Sequence, residues 1–230
     1  MLGKLRQLMK PAARRGADWA AAAAWAHAAS HVFKRSRSGD GFAVEGHFDD
    51  DGLPWRLEWG PSKRFYLEGH ELRIRAEIDL PGGLQMLVMS RELLRRLESE
   101  TFHTLTDSLK TYADDSAPEE MRWLAMFDHL EPSVLGPLRP HFGAVAAQPS
   151  TVAAWLNGPF GAQLLRYATG GATGAQEPVA LIVNRGRITL RTALAEPLPA
   201  ALDACLAVFE AGVRSLPSAL RAFSEASRDR

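Results

Sequence analysis

Apolar and polar side chains alternate from Gly41 onward, with the period of two that a β-strand with one buried face requires. The clearest run is residues 71–78, where leucine, isoleucine and alanine alternate with glutamate and arginine. Asp51-Gly52 separates two alternating runs, and this dipeptide is typical of a tight hairpin turn. The pattern predicts an antiparallel meander of roughly four or five strands, with a buried face that includes Trp55, Trp59, Ile74 and Ile78.

The polar face of this predicted sheet carries both signs of charge, at Arg56, Arg73, Arg75, Glu58, Glu71 and Glu77. Opposite charges can therefore meet across neighbouring strands. This arrangement favours a solvated face over a ligand-binding stripe. The tryptophans share the apolar face and point away from the arginines, whereas a stacking platform for single-stranded nucleic acid needs exposed aromatic and basic residues together.

Other segments repeat apolar residues every three or four positions, which is the spacing of one helix face. Helix starts are indicated at Ser90 and at Ser116, which precedes Glu119 at a capping-box spacing. Pro217 predicts a kink or a restart behind Ser215. The predicted helices cover residues 17–33, 91–98, 117–128, 151–157, 160–168 and 198–223, and two strands are predicted around Asn184 to Gly186.

These elements predict an α+β protein, in which the antiparallel meander sheet is packed by helices and a second, smaller sheet-and-helix lobe follows. The predicted divisions are residues 1–40, a basic, alanine-rich arm or helix, then 41–135 and 136–230; the last two are also compatible with one compact domain. Residues 70–80 and 184–194 match at three positions, in the pairs Arg73 with Arg187, Ile74 with Ile188 and Leu80 with Leu194. This weak internal repeat fits either an ancient duplication or a chance likeness of two amphipathic strands.

The amino-acid composition indicates which cellular compartment and which classes of partner to expect. Lysine plus arginine equals aspartate plus glutamate at 27 each, so the chain lacks the basic excess of a typical nucleic-acid binder. The single cysteine, Cys205, favours a reducing compartment, and no apolar run is long enough to predict a membrane span. We therefore expect a soluble cytoplasmic protein that binds neither nucleic acid nor membrane. The alternative is export, if residues 1–28 are a signal peptide; Asp18 at the start of the alanine run disfavours it.

Charge is distributed unevenly along the chain. The basic arm, residues 1–37, has one acidic residue, Asp18, and eight basic ones: Lys4, Arg6, Lys10, Arg14, Arg15, Lys34, Arg35 and Arg37. The acidic segment, residues 98–131, has two basic residues and nine acidic ones: Glu98, Glu100, Asp107, Asp114, Asp115, Glu119, Glu120, Asp128 and Glu131. The asymmetry predicts a protein partner or self-association through these two segments. Two independent solvated faces are the alternative.

The common catalytic and cofactor motifs are absent from the sequence, including phosphate-binding loops, nucleophile elbows and zinc-binding helices. The glycine cluster at residues 169–175 follows a predicted helix, whereas phosphate-binding loops follow a strand. The pairs His27/His31 and His103/Asp107 each offer two metal ligands, and a tight zinc site needs three or four. We therefore predict no metal site and no cofactor, and we assign no catalytic residue.

Three arginines are the most suggestive candidate site. Arg185, Arg187 and Arg191 have no acidic neighbour in sequence until Glu196, and forked guanidinium donors suit phosphate or carboxylate. Their alternative role is an exposed or ion-paired surface. The first functional hypothesis is thus a noncatalytic interaction or adaptor module. The second is an enzyme or sensor for a small anionic ligand, which uses these arginines and an acidic residue of the acidic segment; a concave pocket there favours the second, and a flat patch the first.

Overall fold

The computed structural model describes residues 19–48, 52–80, 83–107, 118–170 and 178–228, with the backbone alone at 101–107 and 222–228. Within these residues it contains six α-helices and one nine-stranded antiparallel sheet, which confirms the predicted α+β class.

The strands are β1 Val32–Arg35, β2 Phe42–His47, β3 Pro54–Pro61, β4 His70–Glu77, β5 Gln85–Ser90, β6 Asp128–His129, β7 Phe142–Ala146, β8 Val179–Asn184 and β9 Arg187–Ala193. The helices are α1 Ala20–Ala28, α2 Arg91–Asp107, α3 Glu119–Met126, α4 Pro149–Leu156, α5 Pro159–Thr169 and α6 Pro199–Arg228. A short 3-10 turn, Gly136–Leu138, precedes β7.

The strand order across the sheet is β1-β2-β3-β4-β9-β8-β5-β7-β6. The first four strands form a meander, and β2 pairs with β3 as the hairpin predicted at Asp51-Gly52 requires; Asp51 lies outside the described residues, and Gly52 lies in the left-handed region at φ 65°. The chain then leaves the meander, because β9 pairs with β4 and β8 pairs with β5. Strands from residues 41–135 and 136–230 therefore lie in one continuous sheet, and the two segments of the weak repeat are antiparallel neighbours in it.

Helices pack on both faces of the sheet, but on one of the two faces they cover only part of its width. One face carries the main core, where Trp55, Leu57 and Ile74 pack with residues of α1, α4, α5 and α6. On the other face, α2 and α3 cover the half formed by β5, β7 and β8, through a second cluster that includes Leu94, Trp123 and Val145. The period-two prediction is confirmed at Trp55, Trp59 and Ile74, which are buried, while Ile78 is partly buried.

The N-terminal helix is shorter than the sequence predicts. Among the described residues, α1 spans Ala20–Ala28, and the predicted continuation to Phe33 is wrong. Ser30 adopts φ 58°, and the His31 N–H donates to the Ala26 carbonyl at 2.8 Å, which ends the helix. Val32 and Phe33 then pair with β2, because a strand satisfies their backbone groups and extends the sheet.

The remaining predicted helices are present as α2 to α6. The capping residue proposed for α3, Ser116, lies outside the described residues. At the C-terminus α6 continues through Pro217 to Arg228, so of the two alternatives predicted there, a kink and a restart, the restart is wrong. None of the helices, over the described ranges, combines the length and the apolar character that crossing a bilayer requires.

Candidate functional site

The three arginines singled out in the sequence do not form one site. Arg185 lies in the β8–β9 turn at φ 49°, and Arg187 is exposed in β9, where it donates to the Glu77 carboxylate at 2.6 Å. Arg191 lies four residues further along the strand, roughly 13 Å away, and is only 8% exposed. The structure thus splits the cluster into an exposed ion pair and a buried group.

Arg191 belongs to a buried ion cluster that we define as Arg64, Tyr66, Glu71, Glu120 and Arg191. Arg191 Nη1 donates to Glu71 Oε1 at 2.5 Å. The Tyr66 hydroxyl donates to Glu120 Oε1 at 2.7 Å, and Glu120 is 1% exposed. The two arginines approach the same carboxylate, with Arg64 Nε at 3.3 Å and Arg191 Nε at 3.9 Å from Glu120 Oε1.

Burial shifts the pKa values of two residues in the buried ion cluster. Burial lowers the pKa of Arg191, and the negative charge of Glu71 opposes that shift. Burial raises the pKa of the Tyr66 hydroxyl, and the neighbouring Glu120 carboxylate raises it further. The phenol therefore stays protonated, and its O–H group donates a hydrogen bond to Glu120. The cluster ties α3 to β4, β9 and the loop before β4, because each element contributes a charge that another element neutralises.

The sequence analysis expected an acidic residue of the acidic segment beside these arginines, and Glu120 is such a residue. Within the described part of the chain, its second oxygen, Oε2, has no hydrogen-bond partner, and neither do Arg64 Nε and Arg191 Nε. These atoms are enclosed between α3 and the sheet. Arg191 is 8% exposed and Glu120 1%, so the arrangement provides cohesion between layers.

The polar face of the meander is a ladder of ion pairs. Glu45 accepts hydrogen bonds from Lys34 and Arg56, and Glu58 accepts from Arg56 and Arg73. Burial acts to raise the pKa of Glu58, but the hydrogen bonds from Arg73 and Arg56 outweigh it and lower the pKa to about 2. The predicted meeting of opposite charges across strands is confirmed, and the charges on this flat face are largely neutralised by each other.

A separate concave site lies where β5 passes directly into α2. This arginine cleft has a volume of about 950 Å³. Its lining comes from the start of α2, the segment from Pro132 to β7, the end of α5 and the start of β8. The residues that line it are Ser90, Arg91, Glu92, Leu93, Arg95, Arg96, Pro132, Arg139, Pro140, His141, Phe142, Tyr167, Ala168, Pro178 and Val179.

Two of the cleft arginines are held in place by backbone carbonyls. Arg91 donates through Nε to the Arg139 carbonyl and through Nη2 to the Phe142 carbonyl, both at 2.6 Å. Arg96 donates to the Tyr66 carbonyl. These bonds fix the direction of each guanidinium and leave other N–H groups of the same side chains available, because a guanidinium carries five donors.

The other two cleft arginines, Arg95 and Arg139, are exposed, and their side chains have no hydrogen bond or ion pair within the described part of the chain. Glu92 is the one carboxylate among the described residues that line the cleft. Four guanidiniums against one carboxylate give the described lining a formal charge of +3, before any contribution from His141. The first turn of α2 adds the positive end of the helix dipole. The cleft is therefore suited to hold an anion.

The sequence contained part of the evidence for the arginine cleft. Three arginines, Arg91, Arg95 and Arg96, fall within six residues directly after a predicted strand. Arg139 and the α5 wall lie more than 40 residues further along the chain, and only packing brings them to the start of α2. The local pattern was consistent with an ordinary solvated helix face, so it gave no reason to prefer these arginines over Arg185, Arg187 and Arg191.

No group of three or more metal-ligating side chains occurs among the residues whose side chains are described. The ring of His31 packs edge-on against Trp55 with centroids 4.7 Å apart, and His129 Nδ1 lies 3.4 Å from Glu98 Oε1. The side chains of His103 and Asp107 lie outside the described set. His31 therefore has a packing role, and His129 lies beside a carboxylate.

Comparisons with known proteins give no match, whether to a protein-family model, to a curated protein or to a solved structure.

Proposed function

We propose that this protein is a noncatalytic binding module that holds an anionic ligand in the arginine cleft. The single observation that supports the proposal most is the convergence of Arg91, Arg95, Arg96 and Arg139 on one concave surface whose described lining has a single carboxylate. Solvated surfaces usually mix both signs of charge, as the ion-pair ladder of the meander does here. A concave surface of one sign concentrates an oppositely charged ligand.

The chemistry of the lining supports binding rather than catalysis. A guanidinium is a permanent cation that donates hydrogen bonds and is not deprotonated near neutral pH, so it does not serve as a general acid or base there. Anchoring of Arg91 and Arg96 to carbonyls reduces the side-chain entropy that binding would otherwise cost. The proposal joins both hypotheses from the sequence, since it keeps a noncatalytic module and an anionic ligand but moves the site from Arg185, Arg187 and Arg191 to the arginine cleft.

The test is isothermal titration calorimetry of the full chain with inorganic pyrophosphate and with citrate, at low salt. We expect at least one of these anions to bind, and the double substitution Arg95→Gln/Arg139→Gln to weaken its binding at least tenfold, since a charge-assisted hydrogen bond contributes about 1.5–3 kcal/mol. The matched control is Arg185→Gln/Arg187→Gln, which removes the same charge outside the cleft. Absence of binding by both anions, or an equal loss in the control, would refute the proposal.

A second candidate function is self-association, in which the basic arm of one copy docks on the acidic segment of another. In the described residues β1 lies at one edge of the sheet and β6 at the other, eight strand spacings away, or about 38 Å. Lys34 and Arg35 therefore lie far from Asp128 and Glu131 of the same chain, which favours contact between copies over contact within one.

Hydrogen exchange at low and high salt tests this second candidate, because exposed charge pairs are screened over about 8 Å at physiological ionic strength. We expect the substitutions Arg14→Gln, Arg15→Gln, Lys34→Gln and Arg35→Gln to lower protection in residues 1–37 and 98–131 while the core stays folded. Protection that changes with neither salt nor substitution would show two independent solvated faces.

We place the protein in the cytoplasm, with the segment that forms α1 retained. This placement is supported by the contacts of α1, since Ala22 and Ala26 are buried in the main core and Trp25 Nε1 donates to Asp203 at 2.6 Å. Removal of a signal peptide ending near Ala28 would expose the apolar surface under this helix.

A further inference from the structure

The arginine cleft has two chemically different walls. The wall formed by the start of α2 and the segment before β7 carries all four arginines. A second wall, from the end of α5 and the start of β8, consists, among the described residues, of Tyr167, Ala168, Pro178 and Val179, and none of these side chains is charged. Tyr167 is partly buried and packs against the main core, so its ring is held in place on this wall.

A simple inorganic anion would use only one of these walls. Its hydrogen bonds would go to the guanidiniums, and the uncharged wall would stay in contact with water. The volume of about 950 Å³ lies at the upper end of the range in which pockets hold organic ligands of drug size, roughly 300–1,000 Å³. The space and the second wall therefore match a ligand with more than an anionic group.

We infer that the ligand of the arginine cleft is an amphipathic organic anion, with an anionic head held by the guanidiniums and an apolar or aromatic body placed against Tyr167 and its neighbours. The inference rests on the proposed function, because it takes the cleft as the binding site and specifies what occupies it. Nucleotides and isoprenoid diphosphates are two sources of this chemistry. They share the head and differ in the body, one being planar and aromatic and the other aliphatic.

The experiment compares three probes that carry the same diphosphate head: inorganic pyrophosphate, adenosine diphosphate and geranyl diphosphate. Calorimetric titration of the full chain gives a dissociation constant for each. We expect at least one organic diphosphate to bind about tenfold or more tightly than pyrophosphate, because its body removes apolar surface from water. Tighter binding of adenosine diphosphate identifies a planar body, and tighter binding of geranyl diphosphate identifies an aliphatic one.

Substitutions at Tyr167 separate the two walls. Tyr167→Ala is expected to weaken the binding of the preferred organic diphosphate at least fivefold and to leave the binding of pyrophosphate unchanged. Tyr167→Phe keeps the ring and should restore the affinity, whereas Tyr167→Leu keeps apolar volume and should restore it for an aliphatic body alone. Thermal unfolding of each variant verifies that the fold is retained, and the Phe and Leu variants carry the test if the Ala variant does not fold.

The outcomes distinguish this inference from the proposed function. If pyrophosphate binds as tightly as both organic diphosphates and Tyr167 substitutions change nothing, the amphipathic ligand is refuted while anion binding stands. If Tyr167→Ala weakens the binding of all three probes equally, the separate roles of the two walls are refuted. If none of the three probes binds, the inference fails together with the proposed function.

Discussion

Replacement of Trp59 by alanine tests whether the apolar face of the meander is the core of this protein. Trp59 is 7% exposed, and its ring stacks on His70 with centroids 4.5 Å apart and on Phe42 at 5.7 Å. Its indole Nε1 donates to the Leu194 carbonyl at 2.8 Å, which links β3 to the segment after β9. The substitution removes the ring, its stacking contacts and this hydrogen bond together.

The magnitude follows from these contacts. Truncation of a buried tryptophan to alanine costs about 3–5 kcal/mol, and a buried carbonyl left without a donor adds roughly 1 kcal/mol unless water reaches it. Some relaxation around the cavity offsets part of the loss. We therefore expect the free energy of unfolding to fall by about 4 kcal/mol, which is a large fraction of the roughly 5–15 kcal/mol that holds a typical domain together.

The assay is urea unfolding followed by far-UV circular dichroism, which does not depend on the fluorescence of the deleted ring. Trp59→Phe is the matched control, because it keeps most of the stacking and loses the hydrogen bond, and it should cost less than half as much. Arg187→Gln, at an exposed ion pair, should change stability by less than about 0.5 kcal/mol. A loss below about 1 kcal/mol for Trp59→Ala would refute the assignment of this face to the core.

Three further predictions concern buried charge, acid stability and the N-terminus. Glu120→Gln should destabilise the fold by about 3 kcal/mol in urea unfolding, because it leaves two arginines facing one remaining carboxylate; a neutral result would show that the buried ion cluster contributes no net stability. The folded pKa of Glu58, about 2, lies below its ordinary value of 4.5, so Glu58 stabilises the fold at pH values above the ordinary pKa, and this contribution is lost as pH falls toward 2. Melting temperatures measured across that range should fall less steeply with pH for Glu58→Gln than for the unchanged protein. Parallel curves of melting temperature against pH for the two proteins would contradict the lowered pKa of Glu58. Intact-mass analysis of protein from the native host should show a chain that retains α1, and a mature start near Ala29 would refute cytoplasmic retention.

The sequence determined the features that depend on neighbours along the chain. The alternation around Ile74 assigned each side chain to the correct face of the sheet, because in a strand successive side chains point to opposite faces whatever the strand pairs with. Asp51-Gly52 marked a hairpin because the turn needs a residue that tolerates positive φ. Five helices were found from their apolar spacing. Where local and tertiary preferences diverged, at Val32 and Phe33, pairing with β2 prevailed over the helical pattern of the alanine run.

The tertiary structure alone decided which strands are neighbours and which charges are buried. Pairing of β4 with β9 joins residues more than 100 positions apart, and no local period encodes such a partner. Arg187 and Arg191 look equivalent in the sequence because both lie on the polar face of one strand. They differ in the structure because α3 covers the sheet above Arg191, where Glu120 reaches it, and leaves Arg187 in solvent. The arginine cleft arises in the same way, since four distant segments form its walls only when helices α2 and α5 pack at the ends of β5 and β8.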